Sequence, residues 1–159
     1  MSIKNLFQQE SESVTEQPVK IPFDFTNRDS IPKGKDPGDC IVIKPITVRT
    51  WFRIRPLLLE IEKEDIDKIH GLGLGADDYI DKMIVKDGEL NADFPELMNK
   101  YGGLLLDVVC LGIHNKPSDP PAWFKKALID NTTWEDIRIL FNAIIYRIGY
   151  HPFCTSITM

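Results

Sequence analysis

Cys110, His114, His151 and Cys154 are the residues of this chain best suited to hold a metal ion. Cys110 and His114 are four positions apart, so both would lie on one face of a helix end, and two thiolates with two imidazoles would complete a tetrahedral zinc site. The spacings are not those of a common structural zinc motif, and buried free thiols explain the cysteines as well. We predict no metal and no other cofactor, with zinc as an alternative.

Two other patterns have the residue types of a ligand site. The run from Gly71 to Gly75 alternates glycine with leucine, but it lacks the spacing of a dinucleotide fingerprint and the Lys-Ser/Thr of a phosphate loop. We therefore expect a loop whose leucines point inward. The acidic residues Asp77, Asp78 and Asp81 are better explained as the start of a helix, where its dipole favours negative charge. No pattern matches a catalytic triad, so we predict that the chain is not an enzyme.

The residue patterns predict mainly α-helical structure. Residues 40–44 are a short β-branched run that ends at Pro45, which predicts a strand or extended segment. Thr47 is the predicted N-cap of the next helix, and Pro56 is expected to kink or split that helix near Arg55.

The second half of the chain contains the strongest helical patterns. Apolar residues recur at three- and four-residue steps from Phe94 to Val109, with Asp93 as the predicted cap. The pair Gly102-Gly103 costs roughly 1 kcal/mol per glycine relative to alanine, so we expect a bend or the close approach of another helix there. Two further helices are predicted near the end of the chain, and Thr132 with Glu135 fits a capping box before the last one.

The composition limits the classes of function. With 159 residues, 43% hydrophobic and 27% charged, the chain is expected to form one soluble domain with a core of its own. The net charge of −5 argues against nucleic-acid binding. No apolar run approaches the roughly 20 residues of a membrane span, and the first residues contain no apolar signal core, so neither membrane insertion nor export is expected.

We predict two regions. Residues 1–38 contain repeated prolines and little to bury, which indicates a flexible tail, and residues 39–159 form a single compact domain of about five to six helices with a short N-terminal extended or strand segment. Within the tail, the segment Ile21–Phe25 has two aromatic residues. It would dock on a partner or on the domain itself, although two incidental aromatics in a tail are the simpler interpretation.

Aromatic side chains are the best candidates for contact with a partner protein, because such residues dominate binding hot spots. On the apolar faces of helices, however, tryptophan more often belongs to the core. Trp123 is the favoured exception because it follows Pro120-Pro121 at a helix start. The candidate partner-binding residues are Trp51, Phe52, Trp123, Phe124, Tyr146 and Phe153.

The order of these segments resembles the tail assembly chaperones of long-tailed bacteriophages and prophages. The resemblance covers about residues 40–155 and includes the lead-in Ile43-Lys-Pro-Ile-Thr-Val-Arg-Thr-Trp-Phe, the helix from Phe94 to Ile113, the Pro-Ala-Trp-Phe segment, the start Thr-Trp-Glu-Asp-Ile and the closing His151-Pro-Phe. The long N-terminal tail and the Gly71–Gly75 loop depart from the family pattern.

The resemblance implies a non-enzymatic, mainly helical protein in the cytoplasm of the bacterial host. Such a protein binds the tape measure protein and keeps it soluble while tail tube subunits assemble. The tail tube protein is a second candidate partner, and a homo-oligomer is compatible with this function. Two other functions stay open: a structural tail or virion component, and a small helical adaptor that would recognise its partner through the Ile21–Phe25 segment alone.

Overall fold

A long central helix organises the fold. The computed structural model describes residues 18–74 and 94–148. Within these ranges the elements are two strands, β1 (Val19–Pro22) and β2 (Cys40–Ile43), and five helices: α1 (Val48–Leu58), α2 (Lys63–Gly71), α3 (Phe94–His114), α4 (Ala122–Asn131) and α5 (Trp134–Arg147). The predicted class, mainly α with a short strand segment before the helices, is confirmed.

Helix α3 lies at the centre because it has apolar residues on more than one face. Helices α1, α4 and α5 and strand β2 all pack against it. Its buried residues include Leu97, Leu105, Val108 and Val109, which meet Ile54 of α1 and Ile144 of α5 in one hydrophobic cluster. In the part of the chain that the structure describes, no helix combines the length and apolarity needed to cross a bilayer.

Two glycines allow α5 to approach α3 closely. A β-carbon built at Gly102 would lie 2.8 Å from Cη2 of Trp134, and one built at Gly112 would lie 2.6 Å from the side chain of Ile144. Gly103 has nothing within 4 Å of such a β-carbon. The predicted close approach of another helix is therefore correct at Gly102. Gly112, which the sequence analysis did not identify, has the tighter contact.

The two strands form an antiparallel hairpin that packs on the helices. Val19 pairs with Ile43 and Pro22 with Cys40. Ile41 and Ile43 are buried in the core, and just beyond β2 the Ile46 N–H donates to the carbonyl of Arg147 at 3.1 Å. The hairpin thus links the first described residues to the last helix.

The predicted boundary between tail and domain at residue 38 is wrong for the described residues. Positions 19–22 form a strand, and Phe25 is only 7% exposed within the hydrophobic core. The Ile21–Phe25 segment therefore docks on the domain itself, because its apolar side chains find buried positions beside β2. This contact leaves the segment poorly suited to act as an isolated recognition motif. Residues 1–17 lie outside the described residues.

Helix α1 begins as predicted but is not split. Thr47 is its N-cap and accepts a hydrogen bond from the Thr50 N–H at 3.2 Å. The helix continues through Pro56 to Leu58, so the predicted split near Arg55 is wrong. Pro56 lies in the last turn, where the helix ends two residues later.

A polar cluster joins α2 to α3. The Tyr101 hydroxyl donates to Asp65 Oδ2 at 2.5 Å and accepts from the Glu62 N–H at 3.1 Å. Lys100 Nζ lies 2.8 Å from Glu62 Oε2 and 2.9 Å from Asp65 Oδ2. The hydrogen bond from Tyr101, followed by that from Lys100, lowers the pKa of Asp65 and keeps this buried carboxylate ionised.

The cap of α5 is one residue later than the sequence pattern predicts. Thr133, not Thr132, is the N-cap, and it exchanges hydrogen bonds with Asp136 at 3.2 and 2.9 Å in a complete capping box. Thr132 instead donates its hydroxyl to the carbonyl of Leu128 at the end of α4. Glu135 pairs with Arg138 and does not cap the helix.

The glycine-leucine run forms the end of α2 and the turn after it. Gly73 has a φ of 83°, a conformation that glycine adopts without steric cost. Leu74 is buried in the core and Leu72 packs against it. The prediction of a loop with inward leucines is confirmed as far as residue 74. The predicted cap Asp93 and the predicted helix start at Asp77, Asp78 and Asp81 lie outside the described residues.

Candidate partner-binding site

An apolar groove of about 310 Å³ lies between β2 and α4, and we name it the β2–α4 groove. Its walls come from four parts of the chain: the loop after β1, β2, the end of α3, and α4. The lining residues are Phe25, Pro37, Cys40, Ile41, Val42, Ile113, Trp123, Phe124, Ala127 and Leu128. None of these side chains is charged, so the groove is suited to apolar ligand surfaces.

Trp123 and Phe124 enter the groove because α4 begins just before them. Pro121 is the residue before the first helical turn, where its missing N–H leaves no hydrogen bond unmade. The two rings pack edge to face, with centroids 4.6 Å apart, and Phe124 makes a similar contact with His114 at 5.8 Å. Both side chains are half-buried, and Phe124 also packs against the core. Part of this aromatic surface therefore stays open to a ligand.

The loop between the strands forms the opposite wall. Phe25 packs edge to face on Phe23, with ring centroids 4.7 Å apart, and the Arg28 guanidinium lies 5.6 Å from the Phe25 ring centroid. Arg28 forms ion pairs with Asp36 and, at 3.2 Å, with Asp39. These contacts fold the loop back on itself.

The electrostatics of the loop support the same conformation. A hydrogen bond from the Gly38 N–H and then the Arg28 side chain lower the pKa of Asp36. Asp36 therefore stays ionised at neutral pH and continues to pair with Arg28. Gly38 has a φ of 80°, which a side chain would disfavour, so the turn depends on glycine at this position.

A pair of asparagines fixes the loop to the end of α4. The Asn27 N–H donates to Asn131 Oδ1 at 2.8 Å, and Asn131 Nδ2 donates to the Asn27 carbonyl, also at 2.8 Å. Asn131 Nδ2 also donates to the Ala127 carbonyl at 2.8 Å. This contact, the Asn27–Asn131 clasp, connects the loop after β1 with the end of α4, which form two walls of the groove.

Three of the other predicted partner-binding residues are described by the structure, and none of these three lines the groove. Trp51 is half-buried against the core on α1. Phe52, also on α1, is 62% exposed, and Tyr146 on α5 is 45% exposed. Phe153 lies outside the described residues. Of the five candidates that the structure describes, Trp123 and Phe124 alone line this groove, and their role in partner binding stays a prediction.

Several groove residues were missed by the sequence analysis, among them Phe25, Ile41 and Val42. The β-branched run around Ile41 was correctly predicted as a strand. Its position beside α4 depends on contacts between residues far apart in the chain, which periodicity does not report. The sequence signal that could have identified this wall is the pair of aromatic residues Phe23 and Phe25, because aromatic side chains in a folded loop pack against the domain.

The candidate zinc ligands Cys110 and His114 do not form a metal site within the described residues. Burial raises the pKa of the Cys110 thiol to about 11, which disfavours the thiolate that binds zinc. His114 Nε2 lies 2.9 Å from the Ser118 hydroxyl. No group of three or more potential ligands occurs in residues 18–74 and 94–148. His151 and Cys154 are outside these ranges.

A larger recess of about 500 Å³ borders the start of α4, and its lining includes the charged residues Arg53, Asp107 and Lys125. Arg53 pairs with Asp119, and Lys125 lies 2.9 Å from Asp107. Each cation thus already has a carboxylate partner, and an apolar partner would have to cover these pairs. The β2–α4 groove is the better candidate for a protein ligand.

Comparison of the chain with models of protein families, with curated proteins and with solved structures gives no match.

Proposed function

We propose that the chain is a non-enzymatic tail assembly chaperone of a long-tailed phage or prophage. It binds the tape measure protein in the cytoplasm of the bacterial host and keeps that protein soluble while the tail tube assembles, with the tail tube protein as a second candidate partner. The segment order described above, from Ile43 to Phe153, is the basis of this proposal. The mainly helical fold agrees with it.

The observation that supports a binding function is the uncharged β2–α4 groove with Trp123 and Phe124 at its side. Covering apolar surface favours association, and a few large side chains that become fully buried supply much of the binding energy at protein interfaces. A chaperone needs such a surface to cover apolar segments of its client. The net charge of −5 favours solubility while that surface is open.

Co-expression with the tape measure protein tests the proposal. We expect the tape measure protein to be insoluble alone and to co-elute with this chain in size-exclusion chromatography. Trp123→Ala should reduce the co-eluting fraction, because it removes the open aromatic wall of the groove. Leu59→Ala is the matched control, since Leu59 is 71% exposed at the end of α1 and does not line the groove.

The same experiment distinguishes the competing functions. A tape measure protein that stays insoluble and unbound would contradict the chaperone proposal. Recovery of this chain from purified phage particles would favour a structural tail component instead, since a chaperone leaves before the particle is complete. Equal loss of binding in Trp123→Ala and Leu59→Ala would show that the groove is not the binding surface.

A further inference from the structure

We propose that the outer edge of β2 binds an extended segment of the client as a third β-strand. The inference rests on the proposed function, because it takes the ligand to be the client of the chaperone. The ligand is a stretch of client backbone in the β conformation, and the site is the edge of β2 that faces away from β1.

The hydrogen-bond register determines which backbone groups face outward. The Phe23 N–H donates to the Asp39 carbonyl at 2.9 Å, which makes Phe23 and Asp39 a hydrogen-bonded pair of the antiparallel ladder. Such pairs alternate along the strands, so Ile21 with Ile41 is the next one. The N–H and C=O groups of Cys40 and Val42 therefore point away from β1.

These outward groups are available for a ligand. The sheet contains only β1 and β2 among the described residues. Apart from the pairing with β1, no backbone–backbone hydrogen bond within residues 18–74 and 94–148 involves Cys40 or Val42. A strand edge with unpaired donors and acceptors is a template for another strand. The geometry thus offers two N–H and two C=O groups in the spacing of a β-ladder.

The edge of β1 differs in a way that makes binding there unfavourable. Its outward-facing residues are Lys20 and Pro22, and both are exposed. Proline has no N–H to donate, and an edge lysine discourages the approach of another strand. Cys40 and Val42 at the opposite edge are neither charged nor proline. The hairpin therefore has one protected edge and one that accepts a strand.

The accepting edge is next to the apolar groove. Three consecutive residues of β2, Cys40, Ile41 and Val42, line that groove, whereas no residue of β1 does. Because successive side chains alternate between the two faces of a strand, a groove that touches three in a row borders the strand's edge. A bound strand would receive main-chain hydrogen bonds from β2 and would place its alternate side chains against Trp123 and Phe124.

This geometry defines the ligand by its chemistry. It is an extended segment of about four residues, apolar at alternate positions, without proline where a residue must donate to β2. Main-chain pairing supplies affinity that depends little on sequence, and the groove adds a preference for apolar side chains.

Two proline variants at paired positions test the inference. Val42→Pro removes an outward N–H of β2 and keeps an apolar side chain of similar size, while the inward ladder bonds stay available. Lys20→Pro makes the equivalent change at the residue paired with Val42 on the other edge. With the tape measure protein as probe, we expect Val42→Pro to weaken binding about tenfold and Lys20→Pro to change it less than about twofold.

Residue-resolved amide exchange of the native chain gives a second measurement that does not depend on the variants folding. The amides of Cys40 and Val42 should exchange more slowly with the tape measure protein bound, whereas that of Lys20 should not change. If the tape measure protein binds but the exchange of the Cys40 and Val42 amides does not change, the strand-edge inference is overturned while the proposed function stands. Protection of these amides without client, increasing with protein concentration, would overturn it in favour of a second copy of the chain. Absence of any binding would overturn the proposed function as well.

Discussion

Gly112 of α3 lies against Ile144 of α5. A β-carbon added at position 112 would be 2.6–2.7 Å from three carbons of the Ile144 side chain. Ile144 is fully buried, so a shift of its side chain away from a new β-carbon would disturb the core around it. The contact therefore fixes how closely the last helix approaches the central one. Any side chain at position 112 would push the two helices apart.

Gly112→Ala should destabilise the fold by about 1–3 kcal/mol, the usual cost of overpacking a core, despite the higher helix propensity of alanine. Gly103→Ala on the same helix is the control. Position 103 is exposed and has nothing within 4 Å of a new β-carbon, so this change should stabilise the protein by up to about 1 kcal/mol. Urea unfolding of both variants gives the comparison. Equal effects would contradict the close packing of α3 and α5.

Asn131→Ala should release the loop between the strands from α4. The change removes the side-chain bonds to Asn27 and Ala127, and a net loss of about 1 kcal/mol is expected. The amide of Asn27 should exchange faster with solvent, because its acceptor is gone. Asp130→Ala is the control, since Asp130 is the exposed neighbour. Unchanged exchange at Asn27 would show that the clasp does not hold the loop.

Thr133→Ala should destabilise α5 by about 1 kcal/mol through loss of its N-cap. Thr133→Ser keeps the hydroxyl and should retain most of the stability. Thermal unfolding followed by circular dichroism measures both. If Thr133→Ser lost as much stability as Thr133→Ala, the hydroxyl bond to the Asp136 N–H would not be the source of the effect.

The buried Asp65 should make stability depend on pH in the acid range. Its pKa is lowered in the folded protein, first by the hydrogen bond from Tyr101 and then by that from Lys100. A lowered pKa means that its contribution is present above the unfolded pKa of about 4 and is lost as the pH falls through the folded value. Asp65→Asn should therefore have a lower melting temperature than the native chain at pH 7.

The difference between the native chain and Asp65→Asn should shrink as the pH falls from about 4, where Asp65 of the unfolded chain is protonated, through the lower pKa of Asp65 in the folded protein. Asp67→Asn is the matched control, because Asp67 lies on the same helix but is exposed. It should show little difference from the native chain at either pH. If the difference in melting temperature between the native chain and Asp65→Asn stays constant across this pH range, the ionised carboxylate does not have the stabilising role proposed for it.

Local signals in the sequence predicted the helices well, because their apolar spacing and caps involve residues within a few positions of each other. Thr47 shows this, since both its cap hydrogen bond and its helix lie within the next turn. The same local signals did not distinguish between two adjacent candidates for the N-cap of α5. Thr132 and Thr133 both have hydroxyls, and only the packing of α4 decides that Thr132 bonds backward to Leu128.

The candidate site was less predictable for a related reason. Trp123 and Phe124 were identified from their position after two prolines, which is local information. Their neighbours Phe25 and Val42 come from residues about 80–100 positions earlier in the chain. Composition assigned Phe25 to a tail because prolines surround it. Its burial depends on pairing between β1 and β2, which no local pattern encodes.

The contact between the Ile46 amide and the Arg147 carbonyl has a consequence for how the protein is made. Translation proceeds from the N-terminus, so the hairpin leaves the ribosome well before α5 has been synthesised. Until then Ile41 and Ile43 lack part of the core that covers them in the folded protein. Until α5 has been synthesised, the strand pair therefore exposes apolar surface that the last helix covers in the folded protein, and such surface makes an incomplete chain prone to aggregation.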